Sequence, residues 1–371
     1  MTALAASSDI RLVGRLEAAI AKAVHPVEQA CLRAERAGHL ARQGHFDVAQ
    51  LELQAVQRQF ERQPHAAVSA WVCIAEGWFA YFTNLSGSAR DKLQRALALS
   101  TAARLPQLQA LSAAWLAHMN YVSQDFEPMA AYVQQALSLA APDHHSARSR
   151  AALVVAQALQ FAERGDLAQS WFGRVREHAS AEGDDTTLSA LSHNKAWLEG
   201  WQAFQLRIMG ALPIDQGRRA LLAAQSTANF DQWTGTVSLD AFVPILRASI
   251  HSARDEHGLA LALYQEHLAS ALQQGLDRMS AHFWADMAYC EWKTGHRESA
   301  LDTAARAVSA LQLAMQPDDR ATAHQRLSQL RAEQGQAAEA SQHSRAAGQA
   351  WSEHQALQGR AVSALAPLLQ S

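Results

Sequence analysis

Cysteine, glycine, lysine and histidine are the residues whose spacing would announce chemistry, and in this chain they announce none. Cys31, Cys73 and Cys290 stand far apart with no CxxC pair, so neither a disulfide framework nor a zinc knuckle is expected and a reducing compartment fits. No two glycines lie closer than six residues, the spacing of Gly38 and Gly44. That excludes a GxGxxG dinucleotide loop and a GxSxG nucleophile elbow. Lys22, Lys92, Lys195 and Lys293 never follow a glycine, which excludes a Walker A loop. HExxH is absent. Of 17 histidines, the densest group is Asp143-His144-His145 after Pro142. Adjacent residues rarely converge on one metal without a third ligand from elsewhere, so the group reads as a structural or solvated loop. The expectation is a protein that is not an enzyme, with no catalytic residue, no metal and no cofactor.

The elements that would position any site follow from composition. The chain has 371 residues, 49% hydrophobic and 18% charged, with a formal net charge of −3. Alanine accounts for 78 residues, whereas valine and isoleucine together number 23. The chain is too apolar for disorder and too poor in β-branched residues for a large sheet. It lacks the positive excess that holds nucleic acid. No apolar run approaches the roughly 20 residues that span a bilayer, and Met1 to Arg15 lacks the apolar core of a secretory signal. An all-α, cytoplasmic chain is expected, without nucleic-acid or membrane partners.

Small residues recur at a fixed interval. Ala37, Gly77, Ala117, Ala158, Gly200, Ala248, Ala288 and Ser328 are spaced 40, 40, 41, 42, 48, 40 and 40. Seven residues after most of them comes a turn-like position: Gly44, Asn84, Gln124, Gly165, Asp255, Gly295, Gly335. Five residues further comes a second, mostly small series: Ala49, Ala89, Met129, Ser170, Ala260, Ala300, Ala340. The pattern predicts helical hairpins in which small residues let paired backbones approach and a left-handed residue ends the first helix. Pro64, Pro106, Pro142, Gly183, Gly275 and Pro317 punctuate the links between hairpins.

These residues resemble the tetratricopeptide repeat family, with the best copy at Trp284, Met287-Ala288, Gly295-His296-Arg297, Ala300 and Ala307. The unit is longer than the family's usual 34 residues; about six more add roughly 9 Å of helix. Such units are similar to those in regulatory regions of bacterial signalling proteins. The resemblance implies a right-handed superhelix of about eight repeats over residues 27–350. A capping helix is expected within residues 1–26 and another within 351–371. The fifth repeat is degenerate, with a long first helix ending near Met209 and a second over roughly residues 213–228.

In the family, one face of the first helices lines a concave groove. Reading the −6, −3, +1 and +4 positions from each small residue gives Trp71, Ile74, Trp78 and Tyr81 in repeat two. Repeat three gives His118 and Tyr121, with Trp115 beside them, and repeat five gives Asn194, Trp197, Trp201 and Phe204. Repeat seven gives His282, Tyr289 and Trp292, with Asp286 adjacent. Repeat one offers only Cys31, Ala34, Gly38 and Ala41. Aromatic anchors dominate interfaces because they bury much area with few rotors. The polar members could direct hydrogen bonds to a ligand. Trp284, Trp171 and Trp351 read instead as packing residues.

Two functions compete. One is a protein- or peptide-binding scaffold using the aromatic groove in bacterial-type signalling. The other is a ligand-sensing regulator whose superhelix changes shape and controls a separate output protein. Homodimerisation is left open at this point.

Overall fold

Alanine-rich segments bounded by proline, glycine and histidine fold into helices because alanine loses no side-chain freedom there and little else competes for the backbone. The computed structural model describes residues 11–210, 221–222, 224, 226, 239–311 and 315–369. Among the described residues there is no strand, and sixteen α-helices follow one another. They are α1 (Arg11–Lys22), α2 (Pro26–Gln43), α3 (Phe46–Phe60), α4 (Ala66–Asn84), α5 (Ser88–Ala102), α6 (Pro106–Val122), α7 (Phe126–Leu139) and α8 (His145–Phe161). Then come α9 (Gly165–Glu182), α10 (Asp185–Ile208), α11 (Phe242–Ala253), α12 (His257–Gln273), α13 (Ser280–Lys293), α14 (Arg297–Ala310), α15 (Pro317–Glu333) and α16 (Ala337–Leu369). Neighbouring helices pack consecutively, as in a helical-repeat solenoid.

The predicted small residues do the expected work. Every member of the first series is buried. A Cβ placed on Gly77 would lie 3.1 Å from Cγ of Leu93 and 3.4 Å from the Ala89 carbonyl oxygen on α5, so the hairpin leaves no slack for a side chain there. The left-handed residue falls where expected at Gly44, Gln124, Asp255, Gly295 and Gly335. Two hairpins differ. Leu85 takes the left-handed conformation in place of Asn84, which stays helical. In the fourth hairpin Glu163 takes it and Gly165 already begins α9. The turn arrives two residues early, so the buried partner five residues later is Ala168, and Ser170 is exposed.

The chain clusters into two compact units. The first runs through Ser192 and includes α16 from Arg360 onward; the second comprises α10 from His193 and the segment from Asp240 to Gly359. In the first unit, α1 buries Leu12, Val13 and Leu16 and packs on α2. It also reaches the far end of the unit. The Leu12 amide donates to Gly183 O at 3.1 Å, Arg11 pairs with Asp185 at 3.1 Å, and Arg15 bonds Glu182. A separate C-terminal cap beginning at 351 does not form: the second helix of repeat eight continues without a break as α16. No glycine or proline interrupts residues 349–358, so nothing ends the helix there. The second helix expected at 213–228 falls largely outside the described residues.

Candidate functional site

Within the first unit, the inner face is built from the first helix of each hairpin: α2, α4, α6 and α8, followed by the start of α10. Trp78 on α4 and Trp115 on α6 are buried, with ring centroids 5.4 Å apart. The small residues of repeat one make room for them. A Cβ on Gly38 would lie 2.6 Å from Cε3 of Trp78. His118 on α6 is buried against Trp115, and its Nε2 lies 2.8 Å from the Tyr81 hydroxyl. Ile74 is fully buried in the same cluster, whereas Trp71, Tyr81 and Tyr121 are half-buried.

Sequence reasoning missed the charges on this face. Arg42, at the end of α2, donates to Asp184 Oδ2 at 2.9 Å and to Thr187 Oγ1 at 2.7 Å. Asp184 precedes α10 and accepts the Thr187 amide at 2.9 Å, so one carboxylate both caps a helix and binds a cation. Burial alone would push this carboxyl up, but Arg42 and the Thr187 hydroxyl hold it well below the usual carboxylate range. His39 Nδ1 accepts from Arg42 at 3.0 Å; burial first, and Arg42 second, push His39 down to about 3. The first hairpin is thereby tied to the fifth, 142 residues later.

A second guanidinium lies inside. Arg150 on α8 is 4% exposed and sits 3.8 Å over the Trp115 ring. Its Nη2 has no hydrogen-bond partner among the described residues, nor do Trp78 Nε1 and His118 Nδ1. Burial and the nearby Arg42 push Arg150 down to about 9, which leaves it charged at neutral pH.

The second unit has an equivalent face built from α10, α11, α13 and α15. Trp201 and Gln205 donate to Asp318 Oδ2 at 3.3 and 2.9 Å. Phe204 and His282 are buried beside Trp201. His282 donates through Nδ1 to Thr322 at 2.9 Å and is pushed by burial down to about 4. Asp286 is buried and accepts from Ser252 at 2.8 Å, Tyr264 at 2.7 Å and Arg326 at 2.6 Å. Its lone pairs are committed internally rather than offered to a ligand. Trp197 stacks on Trp201 at 5.9 Å and is half-buried, as are Asn194, Tyr289 and Trp292. Tyr289 donates to Glu333 at 3.0 Å, and the Arg297 guanidinium lies 3.7 Å over Trp292.

The predicted stripe therefore divides. Ile74, Trp78, Trp115, His118, Trp201, Phe204, His282 and Asp286 are core residues of the two units. Trp71, Tyr81, Tyr121, Asn194, Trp197, Tyr289 and Trp292 keep partial exposure. Trp171 is buried, Trp284 packs against two apolar clusters, and Trp351 stacks on His354 at 5.0 Å, so these three pack as expected. His145, from the loop group, lies Nδ1 to Nδ1 3.0 Å from His178. Among the described residues no group of three or more metal-ligating side chains converges. No described helix is long and apolar enough to cross a membrane. No protein-family model and no curated protein matches the chain, so its likeness to tetratricopeptide repeats rests on the residues described above.

Proposed function

We propose that the protein is a non-catalytic scaffold or adaptor of the tetratricopeptide-like kind, acting in the cytoplasm in bacterial-type regulation. It holds a protein or peptide against the half-buried aromatic side chains of its first helices. The observation that carries this reading is the set Trp71, Tyr81, Trp197 and Trp292: large rings, partly exposed, each backed by a buried aromatic or apolar layer. Rigid, supported aromatics are what interface anchors require. The state of the thiols supports a non-catalytic role. Burial and Glu35 push Cys31 up to about 11, and burial with Asp286 pushes Cys290 higher still, so neither is a thiolate nucleophile near neutral pH.

Affinity capture from lysate with the full chain tests the reading. Trp71→Ala combined with Trp197→Ala should reduce recovery of the bound partner at least about tenfold, the effect of losing one anchor, with helical circular dichroism unchanged. Equal recovery by the variant and the parent sinks the proposal. A second reading, a ligand-sensing regulator controlling a separate output protein, is favoured by the buried donors of the first unit that lack partners.

A further inference from the structure

Two guanidiniums are buried in the first unit, and among the described residues Arg42 bonds a carboxylate whereas Arg150 bonds none. Arg42 and Arg150 are both buried, and among the described residues Asp184 is the carboxylate close enough to act on Arg150. Asp184 is already engaged by Arg42, by the Thr187 hydroxyl at 2.6 Å and by the Thr187 amide. His39 and His118 are both held neutral by burial and add no further positive charge. The second unit offers the contrast, since Arg326 is met there by Asp286 at 2.6 Å and by Ser252 and Gln329. A buried guanidinium without an anion is costly, and so is each buried donor left without an acceptor.

The groups lacking partners surround one ring. Arg150 lies over Trp115, and Trp78 and His118 flank it at 5.4 and 5.7 Å. The Trp78 indole N–H can only donate. His118 donates from Nδ1 when the Tyr81 hydroxyl gives its proton to Nε2. One fixed positive charge, two neutral donors and aromatic walls describe the complement of a monoanion with an apolar body. A dianion would leave a second charge uncompensated in the same interior.

We propose that the inner face of α4, α6 and α8 binds the carboxylate of a small organic acid, with Arg150 as counter-ion, Trp78 Nε1 and His118 Nδ1 as donors, and Trp115 as the platform. The assignment rests on the ligand-sensing reading above. Its failure removes this site alone, while the capture experiment on Trp71 and Trp197 decides the scaffold reading separately.

Thermal unfolding and tryptophan fluorescence of the full chain, titrated with benzoate, acetate, benzamide and inorganic phosphate, test the site. Benzoate should raise the melting temperature saturably, and benzamide, its neutral isostere, should not. Arg150→Met should melt higher than the parent without added anion and should no longer respond to benzoate. Trp78→Phe keeps the ring and loses the N–H, so benzoate affinity should fall about tenfold, the scale of one charge-assisted hydrogen bond. This variant also serves if Arg150→Met does not fold. Equal responses to benzoate and benzamide, no response to any carboxylate, or a full response in Arg150→Met would each overturn the proposal. A response to phosphate alone would overturn the carboxylate assignment. A peptide with a free C-terminus that stabilises the protein while benzoate does not would overturn the small-acid assignment.

Discussion

Asp184 joins two tasks in one side chain, and its removal separates them from ordinary surface electrostatics. Asp184→Ala deletes the cap of α10 and the carboxylate that Arg42 bonds, so it should cost about 3–5 kcal/mol in chemical denaturation, the range for breaking a buried pair. Asp166, paired on the surface with Arg164 at 2.9 Å, is the comparison. Its replacement should leave the midpoint where it was. A small loss for Asp184→Ala would mean that water already satisfies the Arg42 cluster. Neither Arg42 nor Arg150 stands out in the sequence. The partner of Arg42 is 142 residues away. Pairing at that distance is set by how the array curls, which no local spacing encodes.

Helices and their turns were far more legible, because each hairpin repeats one solution to the same packing problem. The 40-residue interval places the first series of small residues in the core in every repeat. The turn positions slip at Leu85 and Glu163, non-glycine residues in the left-handed region, and the second series slips with the latter, leaving Ser170 exposed. Propensity pointed to Asn84 and Gly165 instead, and the register of the paired helices overrode it. The aromatic stripe was legible as a face but not as a depth: repeat one reads as featureless small residues, yet those residues receive Trp78. Gly38→Ala tests this directly. With its Cβ 2.6 Å from the indole, the variant should lose about 1–3 kcal/mol by overpacking and shift the emission of the buried tryptophans. Unchanged stability and emission would show that α2 and α4 can slide apart freely.

Over the whole molecule, buried neutral histidines set the response to acid. His39 is pushed down to about 3, His282 and His324 to about 4, and His118 well below its ordinary 6.5, in each case first by burial. Unfolding lets these rings take up protons, so their contribution is complete above about pH 6.5 and falls as pH drops toward 4. Each such proton is worth about 1.4 kcal/mol per pH unit within that window. Asp319, Glu35 and Glu291, whose carboxyls are pushed up first by burial, act in the opposite direction, and His144, His178, His257 and His343, pushed down first by burial, add to the four. Melting temperature measured from pH 7 to pH 4.5 should therefore decline steadily, and a flat or rising profile would contradict it.

The bond from Arg42 to Asp184 changes the statistics of the first unit as well as its chemistry. An open stack of repeats gains or loses a terminal member at little cost, because each repeat answers only to its neighbours. With the first hairpin fastened to the start of the fifth, no hairpin between them is terminal. Fraying from an end gives way to all-or-none opening, and the number of hairpins becomes a fixed property. Insertion or deletion of one repeat, the usual route by which such arrays vary in length, is closed to this part of the chain.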